Sequence, residues 1–329
     1  VDGLTIENSG PKHQTVDAGI TVRGADNVKI LRNRIRDCLF GINFEQTNRS
    51  VIEDNDITSL PVSLGLKGDG IRLWYSHGNL IRMNRTRYVR DNVFWYSSAN
   101  KIYENSGADS RYSLHFMYAD RNEILSNDYR RNSVGIFLMF SQGSTLKRNF
   151  VADSTGPFGI GIGMKESSDI LVEENQILYN ARGFYLDSSP YQPGTFNTFR
   201  GNEINFNTTA FLLHGTLLPS LFESNVFKGN IEDVANDTPE SKLEINTWRS
   251  NYWDNYEGFD RNDDGYGDIP HEQWMYADRI WSYLPAAKFF YASPVLDFMN
   301  FLWRLMPFSE PVLLARDARP QIRERGTEK

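Results

Sequence analysis

Asparagine recurs along this chain at intervals of 21 to 29 residues, each time in a short polar-then-apolar tetrapeptide: "RNRI", "DNDI", "MNRT", "ENSG", "SNDY", "RNFV", "ENQI", "GNEI", "SNVF" and "SNYW". The asparagines are Asn33, Asn55, Asn84, Asn105, Asn127, Asn149, Asn175, Asn202, Asn225 and Asn251. A second landmark (Gly19, Gly41, Gly70, Asp91, Ser113, Gly135) stands 14 residues before its asparagine each time, and looser ones follow at Gly159, Gly183 and Ala210. A period in the low twenties built from short alternating stretches such as "GITV", "GINF", "GIRL" and "GIFL" specifies a solenoid. Each coil is too short for a propeller blade, and no leucine-rich consensus occurs. The expected fold is all-β: a right-handed parallel β-helix of about ten coils with about three strands per coil. The asparagines are expected to stack at one turn, where Asn tolerates left-handed backbone and its amide reaches the coils above and below. They are architecture, not a site.

The organisation follows. Residues 1–250 read as the β-helix, 251–273 as an acidic, Gly-rich loop and 274–329 as a C-terminal cap and partner-docking extension. Inserted loops are expected at "SLPVSLGLKGDG" and "LDSSPYQPGTFNT", and such loops often line a solenoid's binding face. The chain opens at Val1 directly in a coil-like stretch and reads as a truncated or mature fragment. The net charge of −7 and mixed charges argue against nucleic acid as the main partner. The single cysteine, Cys38, excludes a disulfide framework and a Cys-based zinc site.

Side chains alternate along a strand, so the landmarks predict two outward columns. One reads Thr21, Asn43, Arg72, Val93, His115, Phe137, Gly161, Tyr185, Leu212; the other reads Arg23, Glu45, Trp74, Trp95, Met117, Met139, Gly163, Asp187, His214. His115, Met117 and Met139 fall together, with Met164 just beyond the next glycine and His214 farther along. Thioether and imidazole suit Cu(I) without requiring a thiolate. The competing reading is that the stripe, continued by Trp74 and Trp95, packs under a loop or against a partner. A glycan-binding or glycan-cleaving β-helix is the alternative function. The only outward carboxylates in these columns, Glu45 and Asp187, are too far apart for the pair such chemistry needs.

Two further segments carry signals. In "DRNDDGYGD", Asp260, Asn262, Asp264, the Tyr266 carbonyl and Asp268 match the spacing of a calcium loop, with Gly265 at its turn and Glu272 beside the closing position held by His271. Ser293 and Pro294 start a helix whose apolar residues include Phe298, Phe301 and Trp303, followed by Phe308. It is too apolar to stand alone in water and too short to span a bilayer. Capping of the solenoid is its first expected role, and partner docking the second.

The order of "GI…N" coils, then "NYWDNYEGFDRNDDGYGDIPHE", then "SPVLDFMNFLWRLMPFSEPVLL" resembles the NosD family, the β-helix proteins of nitrous oxide reductase maturation. The Trp-acidic-Asp/Gly loop and the Pro-rich end are the specific part of the likeness. The resemblance implies a periplasmic, non-enzymatic protein, tied to the membrane only through an ABC transporter permease and its ATPase. It also implies transient Cu(I) and work with a lipid-anchored copper chaperone on apo nitrous oxide reductase. It carries over no copper ligand, so His115, Met117, Met139, Met164 and His214 stand on the columns alone.

Overall fold

The computed structural model describes residues 1–275, 290, 293–305 and 311–323. Among the described residues three sheets of 10, 12 and 11 strands, parallel except for one antiparallel strand at the end of the 12-stranded sheet, run the length of a right-handed solenoid of about ten turns. Each coil contributes one strand to each sheet. The first sheet holds the "GI" strands, from Ala18–Arg23 through Glu232–Asn236.

The asparagines form one continuous ladder. The Asn33 amide donates to Asn55 Oδ1 at 2.9 Å, Asn55 to Asn84 at 2.9 Å, Asn84 to Asn105 at 3.0 Å, and so on to Asn225, which donates to Asn251 at 3.0 Å. Their backbone is not left-handed as the sequence reading expected. The residue before each one is: Arg32, Asp54, Met83, Glu104 and Ser126 have φ of 53°, 54°, 57°, 55° and 55°. The positive φ turns the chain so that the asparagine side chain enters the stack. At the far end Asn251 has no further asparagine to bond. Its amide and backbone N–H donate instead to Asp317 Oδ2, at 2.9 and 2.8 Å.

That carboxylate belongs to the strand Val312–Asp317, which adds a parallel rung at Trp248 and pairs antiparallel with His271–Met275. Capping is therefore done by two strands rather than by the helix. The helix Pro294–Leu305 instead leaves Val295, Phe298, Phe301 and Leu305 exposed. Trp303 lies on that helix, and Phe308 lies outside the described residues.

The inward columns fill the core with Ile42, Phe44, Ile71, Leu73, Leu114, Phe116, Ile136 and Leu138. One coil is shifted from expectation. Ile162 and Met164, not Ile160 and Ile162, stack on Ile136 and Leu138. The true landmark there is Gly161. The landmarks are constrained by space: a Cβ on Gly135 would stand 2.6 Å from the Gly161 carbonyl oxygen and 2.3 Å from Val151.

In the cap, the imidazole of His271 stacks on Trp253 at 4.7 Å, and burial pushes its pKa down to about 4 while Asp317 pulls the other way. The unfolded chain therefore binds this proton from about pH 6.5 downward and the folded chain only near pH 4. Stability is complete above that window and falls as pH drops through it. His271→Phe keeps the ring stack and removes the proton site. Relative to that variant, the wild type should lose about 2–3 kcal/mol between the two pH values in urea titrations. Parallel pH profiles for the two proteins would contradict the buried, neutral His271.

Candidate functional site: the outer face of the first sheet

Backbone pairing sets the outward columns. Val93, His115, Phe137, Gly163, Tyr185 and Leu212 form one; Trp74, Trp95, Met117, Met139, Lys165, Asp187 and His214 form the other. The Gly161 landmark puts Gly163 and Lys165 where the sequence reading put Gly161 and Gly163. A third column, Asp91, Tyr112, Val134, Ile160, Arg182, Thr209, lies nearer the strand starts.

The structure brings His115 and Met139 together: Nε2 and Sδ are 3.2 Å apart. Met117 is Met139's direct neighbour in the column, about 4.8 Å away along the solenoid. The His115 ring stacks on Tyr112, with centroids 4.8 Å apart and planes at 20°, and only 12% of its side chain is exposed. Its Nδ1 lies 4.0 Å from Asp91 Oδ2.

Asp91 is there because of a bulge. The register shifts between Asp91 and Val93, so Asp91–Trp95 has five residues where Tyr112–Met117 has six. Asn92 turns into the core, donating to the Ser113 carbonyl at 2.8 Å and Thr86 Oγ1 at 2.9 Å, and accepting the Ile71 N–H at 2.9 Å. Burial would raise the Asp91 pKa. The Arg111 hydrogen bonds, with the nearby His115 ring, outweigh it and hold the carboxyl below its usual range. Arg111 Nε donates to Oδ1 at 2.8 Å, and its Nη2 reaches Oδ2. Nearby Asp69 is pushed up to about 6 by burial, against the pull of Arg90, whose Nη2 is 2.9 Å from Oδ1. Sequence reasoning missed Asp91, Arg111 and Tyr112. The available signal was Asp91 itself, the one charged residue in a landmark column otherwise held by Gly, Ser or Ala.

Two predicted members do not join. Met164 is fully buried, stacked between Leu138 and Leu186 in the core, because Gly161 and not Gly159 sets the alternation. His214 is three rungs from Met139, about 14 Å at sheet spacing. It bonds Asp237 at 2.8 Å and Thr238 at 3.0 Å. Between Met139 and His214, Lys165 holds Asp187 at 2.7 Å. A cation on the methionines therefore has a positive charge on that side.

On the other side the face is aromatic. Trp74 and Trp95 meet edge to face at 5.3 Å, with the Arg72 guanidinium over both rings at 5.5 and 5.8 Å. At the adjoining turn Tyr75, Tyr96, Tyr118 and Phe140 stack in a row at 4.8, 5.2 and 4.9 Å. A small apolar cluster of Val134, Phe137 and Ile160 sits outside the main core, with Tyr112, Met139 and Tyr185 packed on it. Gly163 makes room for it, since a Cβ there would lie 2.3 Å from the Phe137 ring.

The donor set fits a soft ion. A thioether and an imidazole nitrogen converge, a second thioether is one rung away, and Asp91 is already engaged by Arg111. The acidic loop fits calcium poorly. Asp264 is held by Arg319 at 3.0 Å; Asp260 accepts the Gly265 N–H at 2.8 Å, and Asp268 the Arg261 N–H at 2.7 Å. Asn262 turns its amide to Asp264 at 3.2 Å, Tyr266 bridges to Gln321, and Glu272 pairs with Arg316 at 3.3 Å instead of closing the loop. Among the described residues no three His, Cys, Asp or Glu side chains converge as a metal set.

The relatives are consistent with this architecture. A family model described as "Periplasmic copper-binding protein (NosD)" matches residues 57–258, and one for a right-handed β-helix region matches residues 2–85. The chain is 27% identical to the probable ABC transporter binding protein NosD of Stutzerimonas stutzeri, over 93% of this chain and 73% of that one. It is 26% identical to the protein of the same name from Pseudomonas aeruginosa, over 98% and 77%. Among solved structures it superposes on the A-module of the Azotobacter vinelandii mannuronan C-5 epimerase AlgE6 with a TM-score of 0.51 and 16% identity. That likeness covers 68% of this chain and spans 64% of the epimerase module's length, and it shows the fold alone. With the NosD model covering well over half its length, the chain belongs to the NosD family.

Proposed function

We propose that this protein is a periplasmic, non-enzymatic scaffold that receives and passes on Cu(I) beside an ABC transporter, in the maturation of the copper centres of nitrous oxide reductase. The observation that carries the reading is the approach of His115 Nε2 to Met139 Sδ, 3.2 Å, on an outward face with Met117 alongside. The family's description as copper-binding and periplasmic, and the relatives' names as ABC transporter binding proteins, support it. His115, Met117 and Met139 hold the ion as cargo. Lys165 closes one end of the stripe, which leaves the Trp74–Trp95 side for transfer from a copper chaperone or to the apo enzyme. A glycan-cleaving site would need a pair of carboxylates available to the sugar. On this face Asp69 and Asp91 are each held by an arginine.

The described helix is too short to cross a membrane. Its exposed Phe298, Phe301, Leu302 and Leu305 make it the element proposed to dock on the permease.

Two outcomes are expected. Anaerobic Cu(I) titration against a competing chelator should show one-to-one binding, weakened at least about tenfold by His115→Ala, Met117→Leu or Met139→Leu. Unchanged affinity in all three variants places copper elsewhere. Phe298→Ser/Phe301→Ser/Leu305→Ser should abolish co-purification with the permease and ATPase while leaving the far-UV circular dichroism unchanged. A complex that survives this triple substitution rules out docking through the helix.

A further inference from the structure

Three features converge on His115, and copper binding alone does not explain the clamped carboxylate at its other nitrogen. The bulge at Asn92 brings a carboxylate into a column that holds Tyr112, Val134 and Ile160 on the next rungs. That carboxylate is almost wholly buried, with 4% of the Asp91 side chain exposed. The Arg111 fork clamps both of its oxygens, and Oδ2 also faces His115 Nδ1. The imidazole is also sandwiched in place, stacked on Tyr112 with its Nε2 against the Met139 sulfur.

A neutral imidazole carries its proton on one nitrogen and a lone pair on the other, and the partner of one nitrogen decides the role of the other. With the proton on Nε2, the N–H would donate to Met139 Sδ and the two soft donors would be engaged with each other. With the proton on Nδ1, the N–H faces a carboxylate anion, and the Nε2 lone pair points into the same space as the thioether. Metal-binding histidines are commonly oriented by a carboxylate in this way. At 4.0 Å the carboxylate is beyond hydrogen-bond distance and acts on the imidazole as a fixed negative charge facing Nδ1.

We propose that Asp91, clamped by Arg111, is a positioning residue that holds His115 as the Nδ1–H tautomer, leaving Nε2 and Met139 Sδ as converging donors for a soft monovalent cation. The inference rests on the copper reading for its purpose, but not for its test. Arg111 matters because its fork takes both oxygens, Nε on Oδ1 at 2.8 Å and Nη2 on Oδ2, and so fixes Oδ2, the oxygen facing the imidazole, in place.

The tautomer is readable in the copper-free, full-length protein by long-range proton–nitrogen correlation on ¹⁵N-labelled histidine at about pH 8, where an ordinary imidazole is neutral. His115 is assigned by its absence in His115→Gln. The wild type is expected to show Nδ1–H, and Arg111→Gln, which keeps the carboxylate but loses its clamp, to show a mixture of the two tautomers. Asp91→Val puts in the side chain that the column holds at Val134. It should move His115 toward Nε2–H and weaken Cu(I) binding roughly ten- to hundredfold, with far-UV circular dichroism unchanged. An Nε2–H signal in the wild type overturns the inference, however tightly copper binds. An Nδ1–H signal that persists in Asp91→Val overturns it too. If the tautomer behaves as expected and the wild type takes up no Cu(I), the positioning role stands and the copper reading fails.

Discussion

The amide-to-amide hydrogen bond between asparagines of successive coils is the interaction on which the rest of this structure depends. Each Asn side chain donates to the next coil's Oδ1 and also to a backbone carbonyl, as Asn149 does to Ile124 at 2.9 Å. A buried amide is costly unless its bonds are made. A coil that slipped by one residue would lose all of them at once and turn its core side chains outward. The ladder therefore locks the register of every strand against its neighbours. It needs an acceptor at its end, and Asp317 supplies one from 66 residues away in sequence. The C-terminal strand is thus part of the solenoid's hydrogen-bonding system as well as its hydrophobic lid.

Locked register is what makes the outer face useful. Parallel strands place equivalent residues one rung apart with little freedom, so Met117 and Met139 are neighbours by construction and His115 is a fixed two residues from Met117. A soft-ion site on such a face has its donors placed in advance, which lowers the ordering cost of binding. The environment is graded along the column: aromatic rings at Trp74 and Trp95, thioethers at Met117 and Met139, then the Lys165–Asp187 ion pair. This gradient gives the stripe a direction.

Much of this was legible in the sequence, because the asparagine spacing counts coils and the alternation assigns faces. The outward placing of His115, Met117 and Met139 needed nothing more. Met164 was misplaced because "GIGIG" offers two glycines two residues apart, and both satisfy alternation; only the stacking of Ile162 and Met164 on Ile136 and Leu138 separates them. Asp91 stood out as a charged landmark, but its place beside His115 was hidden because a bulge breaks the period-two rule used to read the columns. The cap strand was hidden because its partners are distant in sequence and "VLLARD" has no landmark. The irregular coil, where the repeat pattern fails, is the one that carries the carboxylate beside the imidazole. Such local departures from an otherwise consistent pattern are where functional residues concentrate.

A soft ion shared by His115 and Met139 on the outer face is open to X-ray absorption at the copper edge of the Cu(I)-loaded full chain. The expected first shell mixes imidazole nitrogen and thioether sulfur, with sulfur reduced in Met139→Leu and the imidazole lost in His115→Ala. A shell of oxygen and nitrogen alone, or a sulfur shell untouched by Met139→Leu, would contradict it.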